Sequence, residues 1–144
     1  MKSKVRRNYT GMILNYENYL NENKALSLES MQSIHTEIIC EIGKDPDALE
    51  LYRDLLDKAI QYAAIRAEWF LLDYEKRMEI DDRRTSLHNS VITHLNMLQR
   101  YLKSQGKNGE WRDMLGYEED DKYNRKAIGD FACYLVFVNC LNAR

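Results

Sequence analysis

The chain has 144 residues, of which 44% are hydrophobic and 31% charged, and its formal net charge at pH 7 is −2. This length and composition are typical of one globular domain, here residues 1–144, and they exclude an intrinsically disordered chain. One proline and six glycines are too few for the many turns of an all-β fold, so we expect an all-α protein. The small net charge gives no reason to expect a general affinity for nucleic acid.

Three cysteines, Cys40, Cys133 and Cys140, do not suggest a disulfide framework. Cys133 and Cys140 stand on one predicted helix, where a separation of seven residues corresponds to a rise of about 10.5 Å, too far for a disulfide bond. The sequence opens without a signal-peptide pattern and contains no apolar run of 18 residues. We therefore expect a cytoplasmic protein that does not enter a membrane.

The first half of the chain carries clear helix signals. Apolar residues recur at helical spacing in the first twenty residues, at Val5, Tyr9, Ile13, Tyr16 and Leu20. Ser27 is placed to cap a second helix, which we expect to end near Ile42 because Gly43 follows it. Asp45 and Pro46 then form the start signal of a third helix.

No helix-breaking residue follows Pro46 until about Ile80, so the pattern predicts one long central helix over about 46–80. We expect a corner at residues 81–86, with Thr85 or Ser86 capping a fourth helix that ends near Lys103. The run EWRDML predicts a short helical turn closed by Gly116, and a last helix of about 20 residues completes the chain. The sequence thus predicts a bundle of five or six helices around the long central helix, without internal repeats.

Metal and cofactor motifs are missing from the sequence. The histidines His35, His88 and His94 are scattered, and no Cys-x-x-Cys, His-Glu-x-x-His or glycine-rich phosphate loop is present. We expect neither a metal nor a cofactor.

The stretch RRTSLH, residues 83–88, supports two interpretations. In the first, His88 lies close to a helix start and reaches back toward its cap, while the arginines form salt bridges with Asp81, Asp82 or Asp130. In the second, Arg83 and His88, separated by four residues, resemble the R-x4-6-H signature of HEPN-type helical ribonucleases. That resemblance implies RNA cleavage in a homodimeric groove, with His88 transferring a proton and Arg83 stabilising charge on the scissile phosphate.

A longer stretch, residues 83–144, resembles an uncharacterised family of small all-helical bacterial proteins from Gram-positive bacteria and their mobile elements. The sequences WR at 111–112 and GDFACY at 129–134 carry this resemblance. It implies an all-α fold and no particular activity.

Two residues of the last predicted helix are unusual for a purely structural role. Gly129 lowers helix propensity, which the close approach of another helix or of Trp111 would explain. Asp130 adjoins an apolar run, and a buried carboxylate needs a partner, for which Arg84, His88, Arg112 and Arg125 are candidates. The predicted polar cluster comprises Arg84, Asn89, Trp111, Arg112 and Asp130, and it forms either a structural ion-pair network or a small pocket for an anion.

No strong catalytic motif is present, so the sequence favours a non-catalytic interaction or regulatory module that pairs with itself or with a protein partner. The alternative is the metal-independent ribonuclease with Arg83 and His88 at its catalytic site, for which RNA would be the substrate.

Overall fold

The computed structural model describes residues 26–116 and 122–142. These residues form an all-α bundle without strands, as predicted. Its elements are α1 (Leu28–Ile42), α2 (Pro46–Leu71), α3 (Tyr74–Ser104), the 3₁₀-helix η1 (Glu110–Leu115) and α4 (Lys122–Asn142). The helix predicted within the first twenty residues lies outside the described residues.

The boundaries of α1 and the start of α2 follow the local signals in the sequence. Ser27 Oγ accepts a hydrogen bond from the Ser30 amide at 3.0 Å, and Gly43, with φ of 53°, ends α1. Asp45 Oδ1 accepts from the amides of Asp47 and Ala48 at 3.0 and 3.2 Å, which caps α2 directly before Pro46. These three predictions are confirmed because each boundary is fixed by side chains next to it in sequence.

The predicted long helix over 46–80 is wrong beyond Leu71, where α2 ends. Leu72 is extended, with φ of −95° and ψ of 154°, and Asp73 accepts a hydrogen bond from the Lys76 amide at 3.0 Å to start α3. Arg77 Nε donates to the carbonyl of Trp69 at 2.9 Å and so satisfies a terminal carbonyl of α2. The chain turns here without glycine or proline, because side chains satisfy the backbone groups on both sides.

The corner expected at residues 81–86 is therefore the middle of a helix. The 31 residues of α3 span about 46 Å, and the stretch RRTSLH lies near its centre. Thr85 and Ser86 are exposed helical residues, and neither caps the helix. His88 is accordingly about four turns from the helix start.

The core lies between α2, α3 and α4, with α1 and η1 packed at one end. α2 makes its most extensive contacts with α3 and α4. The largest fully buried apolar side chains include Trp111, Phe131, Met31, Leu55 and Leu98. None of the described helices is long and apolar enough to cross a membrane.

Candidate functional site

Polar side chains from three helices meet in a cleft of about 470 Å³. Four of them belong to α3, at positions i, i+3, i+4 and i+7, and therefore share one face of that helix. The cleft is lined by Tyr62 and Arg66 of α2, Asp81, Arg84, Thr85 and His88 of α3, and Lys126 of α4. Tyr62, Arg66 and His88 are buried and form its floor, whereas Asp81, Thr85 and Lys126 are exposed at its mouth.

A buried ion pair closes the floor of the cleft. Arg66 Nη2 lies 2.9 Å from Asp130 Oδ1, and Arg66 Nη1 donates to Cys133 Sγ at 3.6 Å. Burial raises the pKa of the Cys133 thiol, although the neighbouring Arg66 opposes this shift. Cys133 is therefore a neutral thiol that accepts a hydrogen bond from Arg66, which does not favour a role as a nucleophile.

Gly129 makes this arrangement of α2 and α4 sterically feasible. A Cβ atom on Gly129 would lie 2.7 Å from Tyr62 Oη and 3.3 Å from Arg66 Nη1. The close approach of another helix that the sequence predicted is confirmed, and α2 rather than Trp111 provides it. A side chain here would displace two residues of the cleft.

The aromatic side chains of the floor are packed against each other. The Tyr62 and His88 rings meet edge to face, with centroids 5.4 Å apart, and only 7% of His88 is exposed. Burial raises the pKa of Tyr62, while the charges of Arg66 and Arg84 act in the opposite direction. Tyr62 therefore presents a neutral phenol, which can donate and accept hydrogen bonds.

Arg84 is held in the cleft by stacking and not by a carboxylate. Its Cζ atom lies 4.7 Å from the centroid of the Trp69 ring, and Arg77 Cζ lies 4.2 Å from the same centroid. Within residues 26–116 and 122–142, Arg84 forms no hydrogen bond or ion pair, and its Nε atom is buried without a partner. The indole positions the Arg84 guanidinium, and no carboxylate of the described residues forms an ion pair with it.

The structure brings together only part of the predicted site. Arg84, His88 and Asp130 lie in or directly behind the cleft. Arg83 projects elsewhere: its side chain is 64% exposed and its Nη2 atom lies 3.9 Å from Glu68 Oε2. Asn89 is exposed, and its carbonyl accepts a hydrogen bond from Thr93 Oγ1 at 3.0 Å.

Trp111 and Arg112 belong to a separate arrangement that holds η1 in place. Trp111 Nε1 donates to Glu41 Oε1 at 3.0 Å. Arg112 Nε donates to Asn96 Oδ1 at 2.7 Å, and its Nη1 atom donates to the Gly116 carbonyl at 2.6 Å. η1 contacts α1, α3 and α4, and these hydrogen bonds join Trp111 and Arg112 to Glu41, Asn96 and Gly116. A cluster of these two residues with Asp130 stays a prediction. The side chain of Arg125, another candidate partner of Asp130, lies outside the described set.

Five cleft residues were missing from the predicted site: Tyr62, Arg66, Asp81, Thr85 and Lys126. The spacing of Asp81, Arg84, Thr85 and His88 is a signal that could have identified the α3 wall. It was obscured by the expected corner at 81–86, which would have placed Asp81 and His88 on different elements. Tyr62 and Arg66, one turn apart on α2, looked like ordinary core and surface positions.

No family model, curated protein or solved structure matches this chain significantly. The chemistry of the cleft must therefore be inferred from its own residues. Arg66, Arg84 and Lys126 carry three positive charges, and Asp81 and Asp130 carry two negative ones. Because Arg66 is paired with Asp130, the cations that face the open part of the cleft are Arg84 and Lys126.

Proposed function

We propose that this protein is a non-catalytic regulatory module that binds a small anionic ligand in the cleft between α2, α3 and α4. The observation that carries the proposal is the Arg84 guanidinium, which is held against Trp69 inside the cleft without a carboxylate partner among the described residues. A partly buried charge is costly unless an opposite charge compensates it. A bound anion would provide that compensation.

The arrangement of Arg84 also favours tight binding. Stacking on Trp69 restricts the rotamers of Arg84 before any ligand arrives, so less conformational entropy is lost when an anion binds. Lys126 adds a second cation at the mouth, and Tyr62 and Thr85 add hydroxyl groups.

The surroundings of His88 support binding over proton transfer. A general acid or base must reach the reacting atom within about 3 Å or through one water. His88 lies on the floor, packed against the edge of Tyr62 and almost fully buried. Its position suits a residue that forms the floor of a binding site.

Arg84 and its neighbour Arg83 offer a matched pair of variants for testing the proposal. We expect inorganic phosphate to shift the amide NMR signals of residues around the cleft in the full-length protein. Arg84→Met should weaken this binding by about tenfold or more, the value expected for loss of a charge-assisted hydrogen bond. Arg83→Met removes an equal charge outside the cleft and should change the affinity by less than about twofold. Equal losses in both variants, or no response to phosphate or acetate in the wild type, would contradict the proposal.

A ribonuclease is the second candidate function. The observation that favours it is that His88 and Arg84 are one turn apart and line the same cationic cleft. The resemblance to the ribonucleases assigns the stabilisation of phosphate charge to Arg83, whereas the arginine in the cleft is Arg84. The ribonuclease and the anion-binding module therefore depend on different arginines. If the protein is such an enzyme, wild type should cleave labelled RNA between pH 6 and 8, and both His88→Ala and Arg83→Met should abolish cleavage in folded protein. If the RNA remains intact, this candidate is excluded.

A further inference from the structure

We infer that the ligand of the cleft is a phosphomonoester that also carries hydroxyl groups, of the sugar-phosphate class, and that Asp81 selects it. This inference rests on the proposed anion site and goes further, because it names the ligand class and a residue that determines specificity.

Asp81 is placed to contact a ligand in the cleft. Its carboxylate lines the same cleft as Arg84 and Thr85, one turn before them on α3. It forms no hydrogen bond or ion pair with the described residues, including the two nearby cations. A free carboxylate beside an anion site repels any simple anion, so it favours ligands that donate hydrogen bonds to it.

The cleft is larger than a simple anion. The cleft of about 470 Å³ has the volume of about fifteen water molecules and falls within the range of small-molecule sites. An inorganic phosphate ion bound to Arg84 and Lys126 would leave most of this space unused. The anionic group is therefore one end of a larger molecule, whose other end lies near Asp81.

The aromatic side chains around the cleft do not favour a nucleobase as ligand. Recognition of a nucleobase commonly uses stacking on an aromatic face. The Trp69 ring already stacks with the guanidinium groups of Arg77 and Arg84, and Tyr62 is in contact with the His88 ring. The remaining groups, the Asp81 carboxylate and the Tyr62 and Thr85 hydroxyls, suit hydroxyl groups of a ligand.

The two cations that face the open part of the cleft favour an anion with two negative charges. Arg84 and Lys126 are two cations that no carboxylate of the described residues neutralises. Arginine binds phosphate through two parallel hydrogen bonds, and a phosphomonoester carries close to two negative charges at pH 7. The two cations balance the phosphate dianion, and hydroxyl groups that donate hydrogen bonds to Asp81 stabilise its remaining negative charge.

The test compares two ligands and two matched variants by calorimetry and NMR on the full-length chain. Glucose 6-phosphate and cyclohexyl phosphate both carry a six-membered ring and a phosphate, but only the first has hydroxyl groups. We expect wild type to bind glucose 6-phosphate about tenfold more tightly, the contribution of one or two hydrogen bonds to a charged group. Glucose without phosphate should not bind measurably.

Asp81→Asn should change the two affinities in opposite directions. Binding of glucose 6-phosphate should weaken by about tenfold, because the charged acceptor is lost. Binding of cyclohexyl phosphate should tighten by about threefold, because a like charge is removed. Asp82→Asn alters the adjacent exposed carboxylate, which does not line the cleft, and should leave both affinities within about twofold of wild type.

The outcomes separate this inference from the proposed function. If both phosphates bind equally, or if Asp81→Asn shifts both affinities in the same direction, Asp81 does not select hydroxyl groups and the inference is wrong, while the anion site stands. If neither phosphate perturbs the signals of the cleft, both proposals fail. Circular dichroism of Asp81→Asn should match wild type, since Asp81 is exposed.

Discussion

Arg66 on α2 and Asp130 on α4 form an ion pair that is buried on both sides, with side-chain exposures of 9% and 0%. The pair joins residues 64 positions apart in sequence and fixes the floor of the cleft. Because both charges have left water, their mutual attraction offsets part of the cost of burying each of them.

Removing one member of this pair should lower the free energy of unfolding by more than removing both members does. Arg66→Met leaves the carboxylate of Asp130 buried without its cation and should lower the free energy of unfolding by about 3–5 kcal/mol. The double variant Arg66→Met with Asp130→Leu should cost clearly less than the sum of the single changes. Urea unfolding of the four proteins gives the coupling energy. Additive losses would show that the pair does not act as a unit.

Gly129→Ala should destabilise the protein although alanine favours helices. Alanine gains about 1 kcal/mol in helix propensity over glycine, but overpacking of a core costs about 1–3 kcal/mol. At 2.7 Å from Tyr62 Oη the added methyl group must displace the Tyr62 ring, so we expect a net loss. The same substitution in a Tyr62→Phe background, which lacks the clashing oxygen, should cost less in thermal unfolding. Equal costs in both backgrounds would contradict the proposed contact.

The position of the turn between α2 and α3 can be tested through its cap. Asp73→Ala removes the side chain that accepts from the Lys76 amide and should cost about 1 kcal/mol. Thr85→Ala and Ser86→Ala change exposed positions within α3 and should stay within about 0.5 kcal/mol of wild type. Chemical denaturation of the three variants decides between the two positions, because a cap at residues 85–86 predicts the reverse order.

His35 should make the stability depend on pH. Burial lowers the pKa of His35 below its ordinary value of 6.5, and its Nε2 atom lies 3.1 Å from Tyr52 Oη. The unfolded chain then binds more protons than the folded one, so stability is full above pH 6.5 and falls as the pH drops through the lowered pKa. His35→Gln should remove this contribution, so the stability difference between wild type and variant should shrink from pH 7.5 to pH 5 in urea titrations. A difference that grows toward acid would show the opposite sign of the pKa shift.

Tyr101 should titrate late because of Asp45. Tyr101 Oη donates to Asp45 Oδ2 at 2.8 Å, and this hydrogen bond is the main cause that raises the pKa of Tyr101 to about 12. Asp45→Asn removes the negative charge but keeps a side chain that caps helices well. In NMR titrations of ring-labelled tyrosine, the pKa of Tyr101 should fall toward its usual value of about 10, while the helix content is retained. An unchanged pKa would exclude Asp45 as the cause.

The sequence predicted the parts of the fold that depend on neighbouring residues. Ser27, Gly43 and the Asp45–Pro46 pair mark boundaries because each acts on backbone groups within a few positions. The turn after Leu71 has a comparable cap in Asp73, which accepts from the Lys76 amide, but no glycine or proline stands beside it. Arg77 satisfies the carbonyls of Trp69 and Phe70 on the other side of the turn. Because glycine and proline are absent from this stretch, the sequence pattern predicted one continuous helix where the chain in fact turns.

The candidate site could be predicted only in part, for a related reason. Gly129 and Asp130 are unusual within their own helix, and the sequence identified both. The partner of Asp130 is Arg66, and no local pattern distinguishes it from the other arginines because the contact depends on how α2 and α4 pack. Arg84 was included in the predicted cluster, but its stacking on Trp69 became visible only once the turn brought α3 back along α2.

The two tryptophans provide the protein with its own optical reporter. Trp69 lies against Arg84 at the cleft, whereas Trp111 is fully buried and bound to Glu41 at the other end of the bundle. An anion that binds to Arg84 changes the electrostatic surroundings of the indole and therefore the emission of Trp69, and it leaves that of Trp111 constant. With Trp111→Phe, ligand libraries can be screened by intrinsic fluorescence without attaching a dye.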